Sequence, residues 1–87
     1  MTTGTTASGT YYLFNKKDQD VPIVFVHGVG LTHEIWQPQL EFFNYHSTLA
    51  YDILGHGKSS LEKKEISFDD FSDQLIELLY HLSLIHI

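Results

Sequence analysis

The sequence predicts an α/β fold in which helices cover a sheet, on three observations. Ile23-Val24-Phe25-Val26 is a continuous β-branched and aromatic run. Thr48-Leu49-Ala50-Tyr51 is a second short apolar segment. Phe68, Phe71, Leu75, Leu78, Leu79 and Leu82 recur at spacings of three and four, the pattern of a helix with one broad apolar face. Strands that alternate with helices along a chain pack as layers, helix against sheet.

Taken in order, residues 1–8 are small and polar and are expected to be a disordered lead-in. Gly9 to Asn15, with three aromatics, should form a first strand, and Lys16 to Asp20 a charged turn. The run after Pro22 suits a strand buried on both faces, as in a parallel sheet flanked by helices. Glycines at 28 and 30 end it. Trp36, Leu40 and Phe43 lie at helical spacing, which predicts a short helix from about Trp36 to Phe43, with Pro38 tolerated in its first turn. Trp36 and the Phe42-Phe43 pair are expected in the core. Thr48 to Tyr51 is the next strand, Gly55 and Gly57 mark a tight loop, and Glu62 to Glu65 reads as a solvated connector. Ser67 is a good helix N-cap, with Asp70 completing an S-x-x-D box and Asp69 placed favourably beside the helix dipole.

Composition narrows the function. The 87 residues carry a net charge of −6 with only five Lys and Arg, so no basic face exists for nucleic acid or anionic lipid. Cysteine is absent, which removes disulfides, thiolate metal sites and cysteine nucleophiles. The six histidines show no H-E-x-x-H or comparable pair, and no metal or other cofactor is expected. The first residues lack the charged and apolar regions of a secretory signal, and the expected location is cytoplasmic.

Two motifs carry chemistry, each directly after a strand, where α/β sheets bind ligands: His27-Gly28-Val29-Gly30 and Asp52-Ile53-Leu54-Gly55-His56-Gly57-Lys58-Ser59. Acyl transfer needs preorganised N–H donors for a developing oxyanion. Glycines on both sides of Val29 would let the chain turn sharply, since they accept positive φ and carry no Cβ. Asp52 can accept N–H bonds, and the glycines after it allow neighbouring loops to cross closely. His27 and His56 read as loop-shaping residues rather than acid-base groups or metal ligands.

Together with Trp36 between them, these two motifs resemble the amino-terminal part of the α/β-hydrolase superfamily, over about residues 9–81. That resemblance implies strands with flanking helices in a sheet still incomplete at residue 87. It implies that the Val29 backbone N–H is the first oxyanion donor, that His27, Gly28 and Gly30 shape its loop, and that Asp52, Gly55, His56, Gly57 and Ser59 form a structural loop beneath the site. His33-x-x-Trp36 and Tyr51 to Gly57 look most like enol-lactonases and related carboxylic-ester hydrolases. The implied function is hydrolysis of an ester, lactone or related acyl bond on a small-molecule substrate, by a serine attacking through a His–acid pair, although some branches use an Asp nucleophile.

The G-x-S-x-G elbow is not among these residues: none of Ser8, Ser47, Ser59, Ser60, Ser67, Ser72 or Ser83 has flanking glycines at that spacing. The chain is therefore read as a fragment, inactive by itself. Leu82-Ser83-Leu84-Ile85-His86-Ile87 also reads as the translation of CTG TCT CTT ATA CAC ATC, a transposon end used to prepare sequencing libraries, so residues 82–87 are expected to be an adapter-derived tail. Two alternatives stand beside the hydrolase reading. One is a non-catalytic α/β-hydrolase-like binding protein. The other is a dinucleotide-binding Rossmann fragment, in which Gly28-x-Gly30 would meet the pyrophosphate and Asp52 the ribose, but His33 then stands where a third glycine belongs.

Overall fold

The computed structural model describes residues 1–17, 21–60 and 66–84. The sequence contributes strands β1 (Thr2–Thr5), β2 (Tyr11–Asn15), β3 (Ile23–Val26) and β4 (Thr48–Tyr51). It also contributes helices α1 (Gln37–Phe42), entered through a 3-10 turn His33–Trp36, and α2 (Phe68–His81). The strands form one sheet in the order β1-β2-β4-β3. β2 pairs antiparallel with both β1 and β4, while β3 and β4 run parallel, as expected of two strands joined by a crossover helix.

β4 is the centre of the fold, with all four of its residues buried. Period-two alternation sends Leu49 and Tyr51 to one face, where Tyr12, Phe14, Ile53 and Leu78 join them beneath α2. Ala50 goes to the other face with Phe25 and Leu40, against which Ile23, Trp36 and Phe43 pack. The Phe25 and Trp36 ring centroids are 5.1 Å apart. Helices thus cover both faces of the sheet.

α2 begins at the expected N-cap: the Asp70 N–H donates to Ser67 Oγ at 3.4 Å, and the Ser67 N–H to Asp70 Oδ2 at 2.9 Å. Its far end closes with Ser83 N–H donating to the Tyr80 carbonyl and Leu84 N–H to that of Leu79, a Schellman motif in which Ser83 takes φ +60°. Leu82 and Leu84 pack against the core.

Five expectations change. Residues 2–5 belong to β1 rather than to a disordered lead-in, because backbone pairing with β2 orders a segment that has few apolar side chains. The strand expected from Gly9 starts at Tyr11, since Gly9 (φ +94°) turns the chain between β1 and β2. β3 is not buried on both faces: it lies at the sheet edge among the described residues, and Val26 is exposed. Phe68 is 91% exposed, for periodicity fixes the direction a side chain points, not how far the sheet extends beneath the helix. Phe42 is also exposed, resting edge-on against Phe43. The Glu62 to Glu65 connector, part of the Lys16 to Asp20 turn and the end of the 82–87 tail lie outside the described residues.

Candidate active site

The loops leaving the carboxyl ends of β3 and β4 are bound to each other. His27, directly after β3, is buried, and its Nε2 accepts the Ile53 N–H at 3.0 Å. That nitrogen is therefore unprotonated, and Nδ1 carries the hydrogen that it donates to the Gly28 carbonyl at 2.8 Å. His56 repeats the arrangement from the other side. Its Nε2 accepts the Gly30 N–H at 2.9 Å, and its Nδ1 donates to the Leu54 carbonyl at 2.9 Å. The two rings lie 5.6 Å apart. With both nitrogens of each ring engaged, these histidines tie loops together.

Asp52, directly after β4, is completely buried. Its Oδ1 accepts the His33 N–H at 2.7 Å and His33 Nδ1 at 2.8 Å, and its Oδ2 accepts the Lys58 N–H at 2.9 Å. Burial alone would raise its pKa. The backbone bonds from Lys58 and His33, followed by the bond and charge of the His33 ring, outweigh burial and hold it below the ordinary aspartate value. Gly57 is required here, since its φ is +51° and a Cβ would collide with the Asp52 carboxyl group. Gly55 is also left-handed, at φ +72°. Ser59 Oγ donates to the Asp52 carbonyl at 2.6 Å and accepts the Tyr11 N–H at 2.9 Å, pinning the loop to β2.

Val29 sits on the opposite kind of structure. The Leu31 N–H donates to the Gly28 carbonyl at 3.1 Å, closing a four-residue turn with Gly30 third at φ +87°, the signature of a type II turn. Val29 occupies its second position and is 80% exposed. Its N–H donates to no other described residue. Only one of the flanking glycines supplies the expected positive φ: Gly28 is not left-handed, and the nearest atom to a Cβ there, Leu31 Cδ1, would be an ordinary 3.8 Å away.

Two residues of this assembly are not among the expected site residues. His33 supplies both a backbone and a ring donor to Asp52. Gln74, buried on α2, accepts the Leu54 N–H at 3.1 Å and donates to the Asp52 carbonyl at 3.0 Å and to Thr10 Oγ1 at 3.1 Å. A signal existed for Gln74: it is a polar side chain at helical spacing between Phe71 and Leu78. His33 stands in the His33-x-x-Trp36 segment that carries part of the resemblance, but nothing local points to Asp52, its partner 19 residues away.

The geometry removes the dinucleotide alternative. That reading needs a helix start open to a pyrophosphate and an acidic side chain free to reach a ribose. Instead the Asp52 carboxylate is itself the acceptor at the start of the 3-10 turn, with both oxygens occupied.

Comparison with known proteins agrees. The model of the alpha/beta hydrolase family matches residues 23–85. The (E)-2-((N-methylformamido)methylene)succinate hydrolase of Acinetobacter baylyi is 39% identical over 64 residues, covering 72% of this chain and 24% of the relative. The non-heme chloroperoxidase CPO-A1 of Kitasatospora aureofaciens is 36% identical over 83 residues, covering 92% of this chain and 30% of the relative. The crystal structure of a hydrolase from Pseudomonas aeruginosa PA01 superposes with a TM-score of 0.79 at 25% identity, covering 94% of this chain and 32% of that one. The chain thus spans about a quarter to a third of the length of these relatives. With paired loops at the ends of two parallel strands and a family match from Ile23 to Ile85, the chain belongs to the alpha/beta hydrolase family.

Proposed function

We propose that these residues form the amino-terminal part of a serine-type hydrolase acting on a carboxylic ester, lactone or related acyl bond, with the Val29 N–H as the first oxyanion donor. One observation carries the reading. In the turn from Gly28 to Leu31 the Gly30 and Leu31 amides are engaged, by His56 Nε2 and the Gly28 carbonyl, while the Val29 N–H has no partner among the described residues. An exposed, unpartnered donor at the end of a sheet strand, held by a buried polar network, is what a developing oxyanion requires. Hydrolases among the relatives support the class of reaction. The nucleophile, its acid and its histidine are assigned to sequence outside these 87 residues, so the chain alone is expected to be inactive.

The test is Val29→Pro in the full-length protein. Proline removes the N–H yet fits the second position of a type II turn, so the turn should survive. Hydrolysis of an activated aryl ester should lose roughly 100–1,000-fold in kcat, as removal of an oxyanion donor does elsewhere, with an unchanged circular dichroism spectrum. A kcat within a few-fold of the parent overturns the role of Val29. A non-nucleophilic residue at the elbow overturns the reaction class in favour of a binding protein.

A further inference from the structure

We propose that His56 is a positioning residue for the oxyanion turn: its unprotonated Nε2 selects one of two orientations of the Val29–Gly30 peptide. This rests on the reading of Val29 given above. A four-residue turn can exchange between type II and type I by rotating its middle peptide through about half a turn, which changes φ of the third residue from about +80° to about −90°. Most residues resist one of those states, but glycine accepts both. Gly30 has nothing within 4 Å of where a Cβ would lie, so packing does not choose either.

The choice falls to the Gly30 N–H. It donates to His56 Nε2 at 2.9 Å in the observed state, φ +87°. Rotation of the middle peptide would withdraw that hydrogen and swing the Val29 carbonyl towards the same nitrogen, acceptor against acceptor.

His56 can hold this position because it is itself fixed. Its Nδ1 donates to the Leu54 carbonyl, and its own carbonyl accepts the Ser59 N–H at 2.9 Å. The left-handed glycines 55 and 57 flank it, and the His27 ring lies beside it. The exchange leaves φ of the second residue, and with it the Val29 N–H, in place. What it breaks is the one hydrogen bond among the described residues that ties this turn to the loop after β4. A donor on an untethered turn loses the preorganisation that makes it effective.

Two substitutions separate the acceptor from the donor. His56→Gln places a carbonyl oxygen at the depth of Nε2 and can still accept the Gly30 N–H. His56→Asn places its amide at the depth of Nδ1 and retains only the bond to Leu54. In the full-length protein, Asn should lower kcat on an activated aryl ester at least tenfold with KM little changed, and Gln should recover most of that loss. Nitrogen-15 spectra should show the parent His56 ring protonated at Nδ1 and not at Nε2. The Gly30 amide resonance should move in the Asn variant and stay near its parent position in the Gln variant. Equal behaviour of the two variants, or a Gly30 amide indifferent to both, overturns the clamp. A Gly30 amide that responds as expected while kcat does not change locates the failure in the assignment of Val29, and the proposal falls with that premise.

Discussion

The two loops at the end of the sheet are made from the same residue types, yet they treat their polar groups in opposite ways. The loop from Asp52 to Ser59 is a closed knot. The Asp52 carboxylate, its carbonyl, the Ser59 hydroxyl and the Leu54 N–H all find partners inside the protein. The turn from Gly28 to Leu31 stands in solvent, and its Val29 N–H donates to nothing described. The glycines repeat the contrast. Gly57 has no room for a side chain because the Asp52 carboxyl group fills the space, whereas Gly30 has open space around it. A buried polar group must be paired or it costs about 1–3 kcal/mol, so the knot has little freedom to do chemistry. The exposed turn pays no such penalty, and the knot's contribution is to hold it still.

The sharpest way to break this comparison is Gly57→Ala. Left-handed strain and a Cβ driven into the Asp52 carboxyl group should together cost about 3–5 kcal/mol, read as a lower urea midpoint. A loss below about 1 kcal/mol would show that the knot is not tightly packed.

Next in size is Asp52→Asn, expected to lose about 2–3 kcal/mol at neutral pH, because one amide face turns a donor towards a backbone N–H. Its pH dependence has a definite sign. The folded pKa lies below the ordinary 3.8, so the native state binds fewer protons than the unfolded one between those two values. The carboxylate's stabilisation is therefore present above about 3.8 and lost as the pH falls through the lower folded value. The gap between wild type and Asp52→Asn, measured by urea unfolding, should narrow over that acid window; a gap that widens there would contradict the hydrogen-bond assignment.

The smallest effects are a matched pair of opposite sign. Gly30→Ala meets no atoms and should lose only about 1 kcal/mol from its left-handed backbone. Ser83→Gly, at the left-handed closing position of α2, should gain about 1 kcal/mol. Thermal unfolding of both variants resolves the two signs. Glycine is the residue this helix end favours.

Much of the fold could be read from local pattern. The Ser67 cap, the bounds of β3 and β4 and the helix Phe68–His81 depend on side-chain periodicity and on bonds between residues three or four apart. The strand Thr2–Thr5 could not be read that way, because its order comes from pairing with β2. The candidate site divides along the same line. His27, Gly28, Val29, Gly30, Asp52, Gly55, His56, Gly57 and Ser59 stand out as motifs, but their partners do not.

By itself, then, the sequence determined the strands and helices other than β1, and which loops carry the glycines and histidines, since these follow from nearest neighbours along the chain. Only the tertiary structure decided that His33 and Gln74 serve Asp52 and its loop, that His56 takes the Gly30 N–H, and that the Val29 N–H finds no partner among the described residues. Those pairings join residues 19 to 26 positions apart, and a hydrogen bond depends on ångströms in space rather than on separation along the chain.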